Sequence, residues 1–306
     1  MKKFLILGFG RMGITHYAHI NGALHGDCFF EIFDPSVHFK LASFFNIRKK
    51  VKFLRKMPKT TKYDAVIVTS PPHAHEVNLD SALELSDMFF VEKPLSLSRT
   101  LLDSAKEKGK KLYCGYVLRN NPCIEYLSRN FTKELGFKVD VNVLSNLGKD
   151  ETSDWRFDLK RGGGCLNELG SHAINLALLF KRNNEVPEVI VNRLDVGEFD
   201  INLENSGDIN ITGDWNTDVR KTMYSLRIKN DNIDVMTDLQ KVTGTISGQA
   251  FEWSPREEAL DVGFYIRGVD FAAQNESWLS GDAATSLNLS DAQTTDFIIS
   301  EALKNV

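Results

Sequence analysis

No stretch of this 306-residue chain approaches the roughly 20 consecutive apolar residues of a membrane-spanning helix, so a membrane partner is not expected. Cysteine is scarce. Cys28, Cys114, Cys123 and Cys165 form no Cys-x-x-Cys pair and do not cluster with histidine. Disulfides and a zinc site are therefore not expected, and a reducing, cytoplasmic setting fits. A strong charge of either sign is missing too. The net charge of −4 offers no footprint for nucleic acid. The basic run Arg48-Lys49-Lys50, continued by Lys52, Arg55 and Lys56, is short and reads as a solvated edge. Repeats and low-complexity linkers are absent. The opening Met1-Lys2-Lys3-Phe4-Leu5-Ile6-Leu7 resembles a secretory signal, but its apolar run breaks at Gly8 and Arg11 follows. It reads better as a buried first strand.

Hydrophobic residues make up 42% of the chain and charged residues 25%, the balance of a globular protein. A single core rarely grows beyond about 250–300 residues, so two domains are expected. Strand-like runs at 2–7, 29–33, 51–54, 64–69, 88–91 and 111–115 alternate with helix-like runs such as 11–25, 36–46, 74–86 and 98–109. That alternation predicts an α/β Rossmann-type domain with a parallel sheet over residues 1–118. From 119 to 306 the texture changes. Helical patterns at 121–135, 165–181, 264–279 and 289–304 accompany alternating stretches at 137–146, 186–196, 207–214, 219–229, 232–238 and 241–247. Asn216-Thr217-Asp218 and Asn230-Asp231-Asn232 read as hairpin turns. The expectation is an α+β domain with a large open mixed or antiparallel sheet. A free sheet face must be solvated or paired with another subunit, which points to a homo-oligomer, a dimer or tetramer.

The densest chemical signal lies between residues 5 and 34. An apolar run ends in Gly8-Phe9-Gly10-Arg11-Met12-Gly13, a helical run follows, and Phe29-Phe30-Glu31-Ile32-Phe33 ends in Asp34. A Gly-x-Gly-x-x-Gly turn between strand and helix, with an acid about twenty residues on, suits a dinucleotide. Gly8 allows the tight turn, Gly10 the approach of a pyrophosphate, and Gly13 close helix–strand packing. The phosphates sit at the helix start, and Asp34 accepts from the adenosine ribose hydroxyls. A carboxylate there repels the 2′-phosphate of NADP, and no Arg follows it in Pro35-Ser36-Val37-His38. NAD is favoured, with NADP kept as the alternative by the nearby cations Lys40 and Arg48.

Three further segments fall where ligands of such a sheet bind. Thr69-Ser70-Pro71-Pro72-His73-Ala74-His75 follows the fourth strand; the plain reading is a strand stop with His75 capping the next helix. Glu92-Lys93-Pro94 follows the fifth strand, where Lys93 can hydrogen-bond a substrate hydroxyl, or be a surface lysine. A cis Lys93–Pro94 bond would aim it into the cleft. Gly162-Gly163-Gly164 opens a helix on which Glu168, His172 and Asn175 follow i, i+4, i+7 spacing beside an apolar stripe. His172 has the range for proton transfer near neutrality, with Glu168 to orient it. A surface Glu–His pair is the structural alternative, and the set has too few ligands for a metal.

In order, Gly8 to Gly13, Asp34, Ser70-Pro71-Pro72-x-x-His75, Glu92-Lys93-Pro94-Leu95, Gly115-x-x-x-Arg119-x-x-Pro122, Asp154-Trp155-Arg156 and Gly162 through His172 resemble the Gfo/Idh/MocA family of glucose–fructose oxidoreductase and inositol dehydrogenase-like enzymes. The resemblance covers residues 1–180. It implies hydride transfer between nicotinamide and a carbinol carbon of a sugar, cyclitol or nucleotide-linked sugar. It assigns catalysis to Lys93 and His172, with Glu168 beside them. It assigns the cofactor to Gly8, Phe9, Gly10, Arg11, Met12, Gly13, Asp34, Ser70, Pro71, His75, Glu92 and Lys93, and the substrate to Arg119, Trp155, Arg156 and Asn175. Glu168 and Asn175 stand where the family usually has Asp. Those departures favour one alternative on the same fold, a non-catalytic NAD-binding regulator; an NAD-dependent glycosidase is a second alternative.

Overall fold

The computed structural model describes residues 1–35, 50–131, 136–147, 157–159, 163–181, 185–205, 207–255, 268–281 and 289–304. The expected helix at 36–46 lies outside them. The described chain forms two compact units, each with its own sheet.

The first sheet has six strands: β1 (Lys2–Leu7), β2 (Cys28–Phe33), β3 (Val51–Leu54), β4 (Ala65–Val68), β5 (Met88–Val91) and β6 (Lys111–Cys114). They lie in the order β3-β2-β1-β4-β5-β6, all parallel. That is the doubly wound order, which aligns every strand's carboxyl end on one edge. The central strands are apolar throughout because helices cover both faces; Leu5, Ile6, Leu7, Val66, Ile67 and Val68 have no exposed surface. The crossovers include α1 (Arg11–Ala23), α2 (His75–Ala82) and α3 (Arg99–Glu107). Ser98 caps α3 by accepting from Leu101 N–H.

One polar group interrupts this apolar sheet. Glu31, in the middle of β2, is buried and takes the Tyr63 hydroxyl, Lys3 at 3.2 Å and Lys52 at 3.1 Å. Burial works to raise its pKa, but the Tyr63, Lys52 and Lys3 contacts outweigh it and hold the carboxyl below its ordinary 4.5. A lowered folded-state value means stability present above the ordinary value and lost as pH falls through the folded one. Protonated glutamate is nearly isosteric with glutamine. The stability difference between wild type and Glu31→Gln, measured by urea unfolding, is therefore expected to hold above 4.5 and shrink below it. A pH-independent difference would remove the ionised carboxylate from the account.

The second sheet has eight strands: β7 (Lys138–Leu144), β8 (Glu188–Leu194), β9 (Glu198–Glu204), β10 (Asp208–Asp214), β11 (Met223–Lys229), β12 (Ile233–Thr237), β13 (Val242–Ile246) and β14 (Gln249–Trp253). Their order is β14-β13-β12-β11-β7-β10-β9-β8, with β7 and β10 parallel and the rest antiparallel. The mixed sheet was the expectation, but β9 and β14 were not foreseen. Each returns through a tight turn. Asp195 Oδ1 accepts from Gly197 N–H (2.6 Å) and Glu198 N–H (2.9 Å) to reverse β8 into β9. Ser247 and Gly248 both take positive φ (51° and 78°) to reverse β13 into β14. Asn230-Asp231-Asn232 is the β11–β12 hairpin, with Asn230 Oδ1 accepting from Ile233 N–H at 2.8 Å. Asn216-Thr217-Asp218 is not a hairpin: β10 and β11 lie on opposite sides of β7.

Alternation along β7, β9, β10 and β11 buries one face, with Val139, Val141, Val143, Ile201, Leu203, Ile209, Ile211, Leu226 and Ile228 inward. The helix α5 (Ser171–Ala177), buried along its whole length, packs on this sheet, and α4 (Pro122–Asn130) precedes β7. The last two helices are α6 (Gly268–Ser280) and α7 (Leu289–Leu303). The structure divides the chain differently from the expected 118/119 boundary. The first unit closes at Gly115 and takes in α6 from Phe271 onward. The reason is Trp278, fully buried in the first unit's core against Phe90 and Tyr113. Among the described residues no helix is long and apolar enough to cross a membrane.

Candidate active site

In the first unit, β1 ends at Leu7 and α1 begins at Arg11, so the glycine turn bridges strand and helix. Gly8 has φ +95°, and a Cβ there would lie 2.7 Å from Ser70 N; only glycine fits. Gly10 differs. A Cβ at this position would meet nothing within 4 Å. Gly10 is also the N-cap of α1, with no side-chain cap and no acidic residue in the first turn. An open approach to an uncapped helix start fits the pyrophosphate of a dinucleotide. Arg11 is exposed and Met12 half-buried beside it. Phe9 packs its ring edge-on to Tyr17 and Phe53, while its N–H donates to Asp34 Oδ2 at 2.6 Å. The turn and the acid that follows β2 are thus tied together.

Along the same edge, Ser70 Oγ accepts from Asn78 Nδ2 at 2.8 Å, and Pro71 is exposed. His75, expected at the cofactor, has no exposed surface. Its Nδ1 faces the carbonyls of Pro94 (3.0 Å) and Leu95 (3.3 Å), and its Nε2 faces that of Ser70 (2.8 Å). The ring serves the protein, wedged between the segments that follow β4 and β5. Burial pushes its pKa below the ordinary range, against the pull of the Ser70, Leu95 and Pro94 carbonyls. Glu92 is also buried, with Oε1 on His16 Nε2 (2.8 Å) and Oε2 accepting from Lys93 N–H (3.1 Å). Lys93 is half-buried and precedes a cis peptide to Pro94, as anticipated.

In the second unit the helix carrying His172 is not regular. A π turn over Leu166–Gly170 precedes α5, so the simple i, i+4 ladder from Glu168 is broken. Single π turns of this kind recur at functional sites, where they re-aim side chains. Glu168 is half-buried; His172 is buried, with its ring edge-on to Tyr116 (5.9 Å) and Tyr224 (6.1 Å). Neither tyrosine was singled out from the sequence. Their only signal was an aromatic after β6 and another on an inward position of β11. Arg119 and Asn175, expected to touch substrate, are instead turned to each other. Arg119 Nε donates to Asn175 Oδ1 (2.5 Å), and Nη2 to Asn175 O (2.9 Å) and Asp291 Oδ2 (2.8 Å). Lys181 Nζ reaches Asp291 Oδ1 at 3.3 Å, and Asn175 Nδ2 donates to Thr295 Oγ1 at 3.1 Å. All of these groups are buried. A desolvated cation so partnered holds the helix on which His172 sits. Trp155 and Arg156 lie outside the described residues. Among the described residues no group of His, Cys, Asp and Glu could hold a metal ion.

A parallel sheet in this order, a glycine turn open at a bare helix start and an acid closing β2 define a dinucleotide-binding Rossmann domain, followed here by a mixed-sheet domain. Residues 2–116 match the GFO_IDH_MocA family, described as "Oxidoreductase family, NAD-binding Rossmann fold". The match covers the first sheet and its crossovers and stops at the start of the second unit. Whole-chain likeness extends to several solved structures. GenD2 from gentamicin A biosynthesis, in complex with NAD, is 17% identical with a TM-score of 0.77, covering 99% of this chain and 93% of that one. The WlbA (WbpB) dehydrogenase from Thermus thermophilus, in complex with NAD and UDP-GlcNAcA, is 18% identical at TM-score 0.71, covering 100% and 95%. The UDP-N-acetylglucosamine 3-dehydrogenase GnnA from Acidithiobacillus ferrooxidans is 18% identical at 0.73, covering 99% and 96%. At these identities the likeness establishes a shared fold. No curated protein matches the chain by sequence.

Proposed function

We propose that this protein is a dehydrogenase that moves a hydride between NAD and a carbinol carbon of a sugar, cyclitol or nucleotide-linked sugar. The observation that carries the reading is the open space at Gly10 before an uncapped helix, with Asp34 tied to the same turn through Phe9 N–H. The sugar class is supported by the UDP-GlcNAcA in complex with WlbA and by GnnA being a UDP-N-acetylglucosamine 3-dehydrogenase. Gly8, Gly10, Gly13 and Asp34 hold the dinucleotide. When bound, NAD supplies the acceptor for two electrons and the carbinol hydrogen. Lys93 donates a hydrogen bond to the substrate oxygen and stabilises its developing negative charge. His172 accepts the hydroxyl proton. Tyr116 and Tyr224 hold the imidazole plane.

The test follows nicotinamide absorbance with NAD and a panel of myo-inositol, glucose and UDP-N-acetylglucosamine. Reduction with at least one of them is expected. Clear NAD binding with no turnover of any would overturn the dehydrogenase reading in favour of the regulator. Asp34→Ala addresses the cofactor separately. Losing hydrogen bonds to a charged acceptor is worth about 1.5–3 kcal/mol, so NAD affinity should fall about ten- to a hundredfold. NADP should lose less, because the repelling carboxylate is gone. Fluorescence titration with both cofactors reads the ratio, and an unchanged preference would remove Asp34 from the ribose.

A further inference from the structure

Two buried histidines of the first unit flank Lys93 and take no part in the mechanism above. His16, on the inward face of α1, has no exposed surface. Its Nε2 meets Glu92 Oε1 at 2.8 Å and its Nδ1 meets Asn275 Oδ1 at 3.0 Å. The orientation of the Asn275 amide is set by two other partners. Its Oδ1 accepts from Trp278 Nε1 (3.0 Å), which can only donate, and its Nδ2 donates to Phe271 O (2.8 Å). His16 Nδ1 therefore carries a proton. The contact between Nε2 and the carboxylate needs a second proton, so His16 and Glu92 together form an imidazolium–carboxylate pair or its neutral equivalent. Glu92 Oε2 then accepts from Lys93 N–H at 3.1 Å. Gly115 backs the carboxylate closely: a Cβ there would lie 3.0 Å from Glu92 Cδ and Oε2. On the other flank, His75 fills the space between Ser70 O and the carbonyls of Pro94 and Leu95.

We propose that His16, acting through Glu92, and His75 are positioning residues that hold the segment from Glu92 to Leu95, and with it the base of the Lys93 side chain, in one geometry. A catalytic ammonium on a flexible stem needs a fixed base, and a displacement near 1 Å at a reacting group can cost on the order of 100-fold in rate. The inference rests on the reading of Lys93 as the group that binds the substrate oxygen. Glu92→Gln separates geometry from charge. A glutamine amide can donate to the bare Nε2 of the neutral His16 tautomer and accept from Lys93 N–H, so the frame survives. Glu92→Ala leaves His16 and the Lys93 N–H with no such partner.

The test compares full-length wild type with His16→Ala, His75→Ala, Glu92→Ala, Glu92→Gln and Lys93→Ala. Hydrogen–deuterium exchange of the peptide spanning β5 and Lys93 is read first, without cofactor or substrate. Faster exchange is expected in the three positioning alanine variants and wild-type exchange in Glu92→Gln. Wild-type exchange in all of them would overturn the proposal. If His16→Ala fails to fold, the Glu92→Ala and Glu92→Gln pair decides. In turnover of whichever panel compound reduces NAD, kcat of the positioning alanine variants should fall on the order of 100-fold with KM little changed. Glu92→Gln should recover most of the kcat lost in Glu92→Ala. If Lys93→Ala abolishes turnover while the positioning variants keep wild-type kcat, the clamp is refuted and the role of Lys93 stands. If Lys93→Ala keeps full activity, it is that role that fails.

Discussion

Lys93→Ala and His172→Ala are each expected to lower kcat by on the order of 10²–10⁴-fold, the range spanned by positioned acid–base groups. NAD affinity, measured by fluorescence titration, should stay within a few-fold. The split follows from where the groups act. In the proposed reading the glycine turn and Asp34 hold the dinucleotide, and Lys93 and His172 act on the substrate oxygen rather than on the cofactor. Interactions that strengthen only in the transition state lower kcat and kcat/KM together. If the two residues act on one oxygen, the double variant should be little worse than either single one, because groups acting as a unit are not additive. Full activity in both single variants would disprove the assigned chemistry. A loss confined to NAD affinity would make them cofactor ligands instead.

Asp291→Asn is expected to destabilise the second unit by about 3–5 kcal/mol, as removal of one partner from a buried ion pair does. The reason is arithmetic of charge. Arg119 and Lys181 are both buried and both reach the Asp291 carboxylate, at 2.8 and 3.3 Å. Removing that carboxylate leaves two desolvated cations beside each other. Urea unfolding followed by tryptophan fluorescence measures the loss, since Trp215 is fully buried in this unit. A loss below about 1 kcal/mol would match a surface pair instead. The same network suits asparagine at position 175. Its amide satisfies the Arg119 Nε–H through Oδ1 and the Thr295 hydroxyl through Nδ2, an acceptor-and-donor role that a carboxylate cannot fill.

Much of the first unit was legible because its signals are local. Six apolar runs separated by helical periods imply a parallel sheet, and a glycine turn between strand and helix implies an anion site whatever lies further along. The second sheet was harder. β9 and β14 follow their predecessors through turns of two or three residues, so their alternation merges with that of the strands before them. Asn216-Thr217-Asp218 has turn chemistry like that of Asn230-Asp231-Asn232, yet only the latter joins neighbouring strands. Composition reports that the chain bends, not which strand it meets next.

The site residues divide in the same way. The placement of Gly8, Gly10, Asp34 and Lys93 beside strand ends was readable from the sequence, because each lies a few residues from the end of a strand. The partners of buried polar groups were not. His16 meets Glu92 and Asn275, Arg119 meets Asp291, and His75 turns inward to three carbonyls. Backbone geometry acts over a few residues, so sequence alone determined the strand–turn–helix grammar and the chemistry at its ends. Desolvation acts on whatever the folded chain brings together. Only the tertiary structure therefore decided which polar side chains hold the frame and which remain for a ligand.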